Sequence, residues 1–479
     1  MNRRSVCMVL GRFLVICAVL FLIPASVCLL YGEPASPFLI SSGIALLAGG
    51  SLWLIFRNSS RLVAKDGFLT VSLSWLLLSA LGALPYVLSG DIPAYADAFF
   101  ESASGFTTTG ATILNDIEGM SRGCMFWRCF SHWVGGMGVL TFMLAVLPTS
   151  GSFSMHLMRA EMPGPTVGKL VPRAKKTAAL LYEIYIGMTA VLVVLLLFGG
   201  MDFYDALIHA FSTAGTGGFS NRAGSIADFN SLYIEIVLGV FMLLFGVNFN
   251  LYFLMLMKNG KTAFKDDELR GYALIVLLSV LFIAWNITPQ TGSFAASLRL
   301  SFFQVSSVIT TTGFSTADFN LWPEFSRALL MLITALGACA GSTGGGIKVS
   351  RLIILSRAAR RECGLLARPR SISSVRMNGL SVAEDTVRST LTFFVLYVFI
   401  VSAGTLLLSL RECDIVTAFT SMLTCLSNVG PGLNLVGPAG NFSFFSAPIK
   451  YFLSLVMITG RLEIIPVLML FSSRLLRSF

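Results

Sequence analysis

About ten apolar segments dominate this chain, and each is long enough to cross a lipid bilayer as an α-helix, which takes about 20 residues. Only 12% of the residues are charged and 55% are hydrophobic, whereas an average soluble domain has about 25% charged residues. The sequence therefore predicts an all-α polytopic membrane protein and excludes a water-soluble enzyme. The predicted spans cover residues 13–31, 37–56, 69–89, 125–148, 179–200, 232–257, 271–289, 326–355, 390–410 and 449–473.

The basic residues give these spans an orientation. Connections on one side of the predicted membrane hold 26 of the 34 Lys and Arg residues. Short loops rich in Lys and Arg stay on the cytoplasmic side of a membrane. Both termini are therefore expected in the cytoplasm. The distribution of the net charge of +10 matters more than its size, so we predict contact with membrane lipids and no binding of nucleic acid.

Four Gly-containing segments recur between the spans at intervals of about 100 residues, which indicates duplicated units. The segments are aligned on Gly110, Gly218, Gly313 and Gly430. Each has a small residue twelve positions upstream, a large apolar residue at eleven and a hydroxyl residue at six. Each unit is predicted to be a span, a re-entrant helix too short to cross the bilayer, a polar loop and a second span. Two N-terminal spans and four such repeats would surround a pseudo-fourfold pore.

The residue types in the four loops suit a dehydrated monovalent cation. Carbonyl and hydroxyl oxygens replace a hydration shell without a fixed charge that would trap the ion, and Gly allows backbone angles that turn carbonyls toward the axis. The alternative, that small residues only ease helix packing, is disfavoured by four equivalent positions. The candidate filter residues are Thr108, Thr109, Gly110, Ala111, Thr216, Gly217, Gly218, Phe219, Thr311, Thr312, Gly313, Phe314, Asn428, Val429, Gly430 and Pro431.

Acidic residues lie near the expected outer mouth but not inside the filter segments. Their absence from the filter disfavours a carboxylate site for a divalent ion. At the mouth, carboxylates are expected to concentrate cations. These residues are Asp91, Asp97, Glu101, Asp202, Asp205 and Asp414.

A run of small residues interrupts the eighth predicted span and predicts a break in its helix, because Gly alone costs about 1 kcal/mol per position relative to Ala. The run precedes cytoplasmic Lys348, where a flexible element could obstruct ions below the filter. The alternative is a kink that allows close packing. The candidate gate residues in this run are Gly341, Ser342, Thr343, Gly344, Gly345 and Gly346.

Arg461 places a charge deep in the last predicted span, roughly 16 Å beyond Lys450 at 1.5 Å per residue. Such a charge costs roughly 3 kcal/mol or more near the bilayer centre, so it must face water or a partner. We expect Arg461 to point into the pore below the filter, as part of the gate, and to raise an electrostatic barrier. The alternative is an ion pair with Glu463 or with an acid from another span.

Several motifs in this chain resemble the Trk/Ktr/HKT superfamily of potassium transporters, and specifically its TrkH-type membrane subunit. They are HWVGGMG (132–138), LIHAFSTAGTGGFS (207–220), GACAGSTGGGIKVSRL (337–352) and GRLEIIPVL (460–468). The resemblance covers nearly the whole chain. The extra N-terminal pair of spans is similar to the TrkH type and unlike the eight-span Ktr subunit.

The resemblance implies uptake of K+ across the bacterial inner (cytoplasmic) membrane, with K+ as the ion at the filter residues and no organic cofactor. It also implies a homodimer with one pore per protomer, an intramembrane gating loop at 341–346, and a cytosolic, nucleotide-binding regulatory ring similar to TrkA. The second and fourth loops depart from a TVG-like pattern. The family filter is only approximately fourfold, so selectivity is expected to be looser than in tetrameric potassium channels.

The cytoplasmic stretch from Arg351 to Arg376 holds seven Arg residues and one acidic residue. Such a cluster contacts anionic lipid headgroups, or, if the resemblance holds, docks an acidic face of the regulatory ring. The sequence leaves both interpretations open.

The repeats divide the chain into five predicted units. They are a two-helix pair (1–65) and four pore-loop repeats (66–158, 159–260, 261–376 with a broken second helix, and 377–479). A secondary carrier of a small solute with broken helices is the alternative function, but such carriers are expected to use two repeats. No enzyme is predicted, because the three His residues lie in no HExxH or GxSxG context.

Overall fold

The computed structural model describes residues 3–57, 64–138, 174–256, 263–368, 373–410 and 413–470. These residues are mostly helical, with one two-stranded hairpin of β1 (Arg376–Met377) and β2 (Leu380–Ser381). Several predicted features lie outside the described residues: the end of the fourth span (139–148), His156, the unit boundaries after residues 158 and 260, and residues 471–473 of the last span.

The predicted fold class is confirmed: two N-terminal helices precede four repeats of a first helix, a pore helix and a second helix. The N-terminal helices are α1 (Arg3–Tyr31) and α2 (Ser36–Phe56). The first helices are α3 (Ala64–Gly82) with its continuation α4 (Leu84–Ser89), α7 (Ala174–Phe198), α11 (Asp267–Thr291) and α15 (Glu384–Ser409). The pore helices are α5 (Tyr95–Phe106), α8 (Phe203–Gly215), α12 (Phe294–Ile309) and α16 (Ile415–Ser427).

The second helices of the second, third and fourth repeats are broken, and that of the first repeat ends at Gly136. They are α6 (Arg122–Gly136), α9 (Leu232–Phe245) with α10 (Phe249–Leu256), α13 (Glu324–Leu336) with α14 (Val349–Ala367), and α17 (Ala447–Arg461) with α18 (Ile465–Leu470). Short 3-10 turns cover Ser225–Phe229, Phe319–Leu321 and Asn434–Val436.

A break was predicted only in the third repeat, where the chain is non-helical from Gly337 to Lys348. The expectation of continuous helices over 125–148, 232–257 and 449–473 is wrong. α6 ends at Gly136, α10 turns by 90° from α9, and residues 462–464 separate α17 from α18. By length and composition, six described helices could span a membrane, or seven if the bent α9–α10 pair counts as one span.

The N-terminal hairpin packs against the first repeat. α1 crosses α2 where Gly11 faces Gly49, and a Cβ on either glycine would lie closer than 3.0 Å to the backbone of the other helix. Such small residues let two helices approach closely in lipid. The hairpin also supports α6, because both Glu33 carboxylate oxygens accept N–H groups at its start, from Arg122 at 2.8 Å and Gly123 at 2.9 Å. A carboxylate there satisfies two of the unpaired N–H groups at a helix N-terminus.

Candidate ion pathway

The four pore helices end in the same way. Each is followed by a residue in the left-handed conformation, with φ between 56° and 61°, and two positions later by a glycine with φ between 77° and 91°. The left-handed residues are Thr108, Thr216, Thr311 and Asn428, and the glycines are Gly110, Gly218, Gly313 and Gly430. A left-handed β-branched residue is strained, and such strain persists only where the surrounding structure imposes it.

The hydroxyl residues six positions upstream of the glycines have a shared role at these helix ends. Their carbonyls accept the N–H of the residue just before each glycine, for example Ser104 from Thr109 at 2.9 Å and Ser307 from Thr312 at 2.8 Å. Ser212 and Thr424 accept in the same way at 2.8 and 3.0 Å. This is the 6→1 bond of a Schellman motif, which here turns the chain out of each pore helix.

The four loops form a closed ring. A Cβ on Gly110 would lie closer than 3.0 Å to the carbonyl oxygen of Gly217 in the second loop. Gly218 meets Thr312 in the third loop, and Gly313 meets Val429 in the fourth. Gly430 returns to the carbonyl of Thr109 in the first loop. All four glycines therefore face a main-chain oxygen of the next repeat, which leaves no room for a side chain.

All sixteen candidate filter residues lie in these loops, but not all of them face the axis. The ring of Phe219 stacks on His132 with centroids 4.2 Å apart, and the ring of Phe314 lies 5.9 Å from that of His209. Both aromatic rings therefore pack behind the loops. The Asn428 side chain links the fourth loop to the first, because its Nδ2 donates to Thr109 Oγ1 at 2.9 Å.

Two cavities lie on opposite faces of the ring. The outer cavity, of about 80 Å³, is lined by all four filter glycines and by Arg128, Arg222 and Ser315. The inner cavity, of about 70 Å³, is lined by residues from the break in the third repeat, together with Lys348, Arg461 and Gly136. We call residues 337–348 the gate segment; they separate the ring from the inner cavity.

The gate segment lies directly against the inner face of the ring. The N–H of Gly345 donates to Thr311 Oγ1 at 2.8 Å, and a Cβ on Gly345 would collide with the carbonyl of Ser427. A Cβ on Gly344 would lie 2.9 Å from the carbonyl oxygen of Thr310. The two loops that the segment touches belong to the third and fourth repeats. Of the six predicted gate residues at 341–346, five line the inner cavity, and the sixth, Thr343, donates to the Phe245 carbonyl at 3.3 Å.

Glu268 at the start of α11 joins the gate segment to the start of α14, and it was not among the predicted site residues. Its Oε1 accepts the N–H of Ala340 at 2.7 Å and that of Ser350 at 2.9 Å, and the side chain is buried. An acidic residue in the first turn of a helix is favourable in any helix, so nothing in the sequence separated Glu268 from Asp267 beside it.

Arg461 lies on the inner face, as expected, and bridges the gate segment to another repeat. Its guanidinium donates to the carbonyl of Thr343 and to those of Gly135 and Gly136, each at 2.6 Å. Gly135 and Gly136 are the last two residues of α6, so these carbonyls lie at its C-terminal end. The alternative pairing with Glu463 is not seen; Glu463 pairs with Arg351, whose guanidinium also lies 4.0 Å from the ring of Phe393.

Lys348, which the sequence places in a cytoplasmic loop, is a second cation at this site. The residue is buried, has φ of 76°, and donates from Nζ to the carbonyl of Gly344 within the gate segment. It lines the inner cavity together with Arg461. The segment that tops this cavity is thus held by two basic side chains.

The acidic residues expected at the outer mouth are engaged in structural bonds. Glu101 is buried against Arg128 at 2.6 Å, and Asp97 pairs with Lys450 at 2.6 Å. The others cap helices or bind neighbouring side chains: Asp202 and Asp414 are N-caps of pore helices, Asp205 accepts from Asn221, and Asp91 accepts from Ser121. Their charges are neutralised or hydrogen-bonded locally, so they provide less attraction for cations than expected.

The basic stretch from Arg351 to Arg376 is also partly paired. Arg357 bonds Asp267 at 2.8 Å and the carbonyl of Arg376, which fixes the β-hairpin to α11 and α14. Arg361 bonds Glu384 at 2.8 Å. These two arginines hold the ends of neighbouring helices together, whereas Arg360 is exposed.

Comparison with known proteins places the chain in a family. The family model described as "TrkH: Cation transport protein" matches residues 35–477. The "Trk system potassium uptake protein TrkH" of Escherichia coli K12 is 35% identical over 483 residues, covering 98% of this chain and 99% of the relative. The "Trk system potassium uptake protein TrkG" of the same strain is 35% identical over 465 residues, 95% of each chain. The crystal structure of the potassium transporter TrkH from Vibrio parahaemolyticus superposes with a TM-score of 0.90 at 32% identity, covering 99% of each chain. With its four ring-forming loops and a match along nearly its whole length, this chain belongs to the TrkH family of cation transport proteins.

Proposed function

We propose that this chain carries K+ into the cell across the bacterial inner membrane, through the ring of four filter loops. The observation that carries the proposal is the cyclic contact of each filter glycine with a carbonyl of the next loop. A ring of main-chain oxygens suits a dehydrated monovalent cation. The relatives are named potassium uptake proteins, which supports K+ as the ion and transport, without a catalytic step, as the activity.

The gate segment and Arg461 close this path on its inner side. The segment contacts two filter loops directly and is tied to the other two repeats through Arg461 and Phe245. Because all four repeats hold the gate segment in place, it can block the passage of ions along the central path. The distribution of basic residues supports a cytoplasmic inner face, with both termini on that side.

The partners follow from the family. The relatives are named as parts of a Trk system, which supports other Trk components as partners. As the family resemblance implies, we propose a cytosolic, nucleotide-binding regulatory ring that docks near the exposed Arg360, and a homodimer with one pore per protomer. We also propose the division into a helix pair (1–65) and four repeats that begin at residues 66, 159, 261 and 377, each repeat contributing one quarter of the filter.

Growth of a potassium-uptake-deficient bacterium on limiting K+ tests the transport function. Expression of this chain should rescue growth, and Gly313→Ser should abolish rescue because a side chain there collides with the Val429 carbonyl. Gly200→Ser is the matched control. Gly200 has a φ of 89°, against 88° for Gly313, but its Cβ would have no atom within 4 Å.

Both variants carry the same backbone strain, so membrane expression of each should be similar. Loss of rescue by Gly313→Ser alone assigns the defect to the ring. Equal growth of Gly313→Ser and wild type, with equal amounts of protein in the membrane, would refute the filter. If wild type itself fails to rescue while it accumulates in the membrane, K+ uptake is the wrong function.

A further inference from the structure

The second filter loop lacks the internal side-chain bond that stiffens two of the others. In the first and third loops a pair of threonine hydroxyls closes the turn, Thr107 with Thr109 and Thr310 with Thr312, each at 2.8 Å. The equivalent positions in the second loop are Gly215 and Gly217. Glycine contributes no side chain and has the greatest backbone freedom. The second loop therefore depends on support from outside.

That support comes from one face of α6. Arg128 Nη1 donates to the carbonyl of Ser220 at 3.0 Å, and the guanidinium carbon lies 3.5 Å from the centroid of the Phe219 ring. His132, one turn further along α6, stacks on the same ring. A Cβ on Gly217 would collide with the imidazole of His132. His132 thus fills the space that the missing threonine side chains would occupy, with its imidazole at Gly217 and its main-chain carbonyl at Gly215.

Arg128 is itself held by the first repeat. Its Nε bonds Glu101 Oε1 at 2.6 Å, and both side chains are almost completely buried. Glu101 in turn accepts the N–H of Ile113 at 3.0 Å and the hydroxyl of Thr112 at 3.0 Å, both just beyond the first filter loop. The ion pair therefore joins the outer ends of the first and second loops.

We infer that Arg128, held by Glu101, is a positioning residue that determines ion specificity by fixing the second filter loop. This inference rests on the proposed function. The number and placement of carbonyls around the path decide which dehydrated ion is favoured. Without the bond to Ser220 and the stacking on Phe219, the second loop can move away from the axis. The ring then favours K+ over Na+ less strongly.

The test uses the double variant E101Q/R128M, which removes both charges and so leaves no unpaired buried ion. Replacing a buried ion pair with uncharged residues of similar size commonly preserves folding. K+ and Na+ fluxes are measured for the purified, full-length protein in liposomes. The preference for K+ over Na+ should fall about tenfold, the factor expected when one charge-assisted hydrogen bond is lost.

The matched control is D97N/K450M. This pair also joins a pore helix to a second helix, with Nζ and Oδ1 2.6 Å apart, but it lies at the end of α5 opposite its filter loop. Its removal should lower thermal stability without changing the K+ to Na+ ratio by more than about twofold. A changed ratio in this control would overturn the inference, because any weakened packing would then produce the effect.

Arg128→Lys keeps the test decisive if the double variant does not fold. Lysine retains the charge beside Glu101 but lacks the planar fork and the stacking surface. Its K+ preference should also fall. A folded E101Q/R128M or Arg128→Lys with a K+ to Na+ ratio within about twofold of wild type would overturn the inference. Failure of the wild-type protein to carry K+ would instead contradict the proposed function, so the two failures are distinguishable.

Discussion

Arg461→Ala should release the gate segment. In the structure, the Arg461 guanidinium donates to the carbonyl of Thr343 in that segment and to the carbonyls of Gly135 and Gly136 at the C-terminal end of α6. It therefore joins the segment to α6. Alanine removes all of these bonds at once. It also removes the positive charge from the inner cavity, so any K+ that passes the ring meets a lower electrostatic barrier there.

The expected size follows from the bonds. A hydrogen bond from a charged donor contributes about 1.5 to 3 kcal/mol, and Gly135 and Gly136 share one nitrogen, so two bonds are counted. The freed carbonyls face a cavity of about 70 Å³. Water occupies roughly 30 Å³ per molecule, so water molecules there can replace some of the lost hydrogen bonds. We expect a net shift of about 1.4 to 2.8 kcal/mol toward the open pore, about ten- to a hundredfold.

K+ flux into liposomes that contain this protein alone measures the effect, and basal flux should rise by that factor. Arg461→Lys separates the two causes, because lysine keeps the charge but cannot bond Thr343 and α6 together with a planar fork. If K+ flux stays high in Arg461→Lys, the lost hydrogen bonds to Thr343 and α6 cause the effect. If Arg461→Lys restores the wild-type flux, the lost positive charge causes it. A folded Arg461→Ala protein whose flux is within about twofold of wild type would refute both.

Two further variants test the gate segment and the helix packing. Glu268→Ala leaves the N–H groups of Ala340 and Ser350 without their acceptor, which destabilises this arrangement by about 1 to 3 kcal/mol for each group. Basal K+ flux in liposomes should therefore rise. Glu268→Gln keeps an acceptor oxygen and should behave as wild type. Equal flux for Glu268→Ala and wild type would contradict this role. Gly11→Leu should lower the free energy of unfolding by about 1 to 3 kcal/mol, measured as a lower Tm in detergent. Gly43 faces open space, so Gly43→Leu should leave the Tm unchanged. Equal Tm values for the two variants would refute the close helix crossing.

The filter loops were predictable because their chemistry is local. Glycine at position 110 and its three equivalents has a positive φ and faces a neighbouring carbonyl, so the position excludes any side chain. Such a requirement can be recognised in the sequence of one repeat, and its recurrence in the other three repeats strengthens the prediction. The break at 341–346 was predictable for the same reason, since consecutive small residues leave a helix in lipid without stabilising side chains.

The break between α17 and α18 depends on contacts that no local pattern contains. Residues 462–464 include no glycine, yet Glu463 and Ile464 have φ of 58° and 65°. A left-handed Ile is costly, so the packing of α17 and α18 imposes it. Glu101 was misjudged for a related reason. The sequence places it near the mouth, and only the fold reveals that Arg128 is buried beside it.

The cyclic order of the filter loops has a consequence for biosynthesis. The last contact of the ring joins the fourth loop to the first, and Asn428 and Thr109, which bond across it, are 319 positions apart in the chain. A nascent polypeptide that has inserted three quarters of its length therefore has an open-sided arc and no enclosed oxygen cage. A product released early from the ribosome would therefore lack the complete ring of carbonyls.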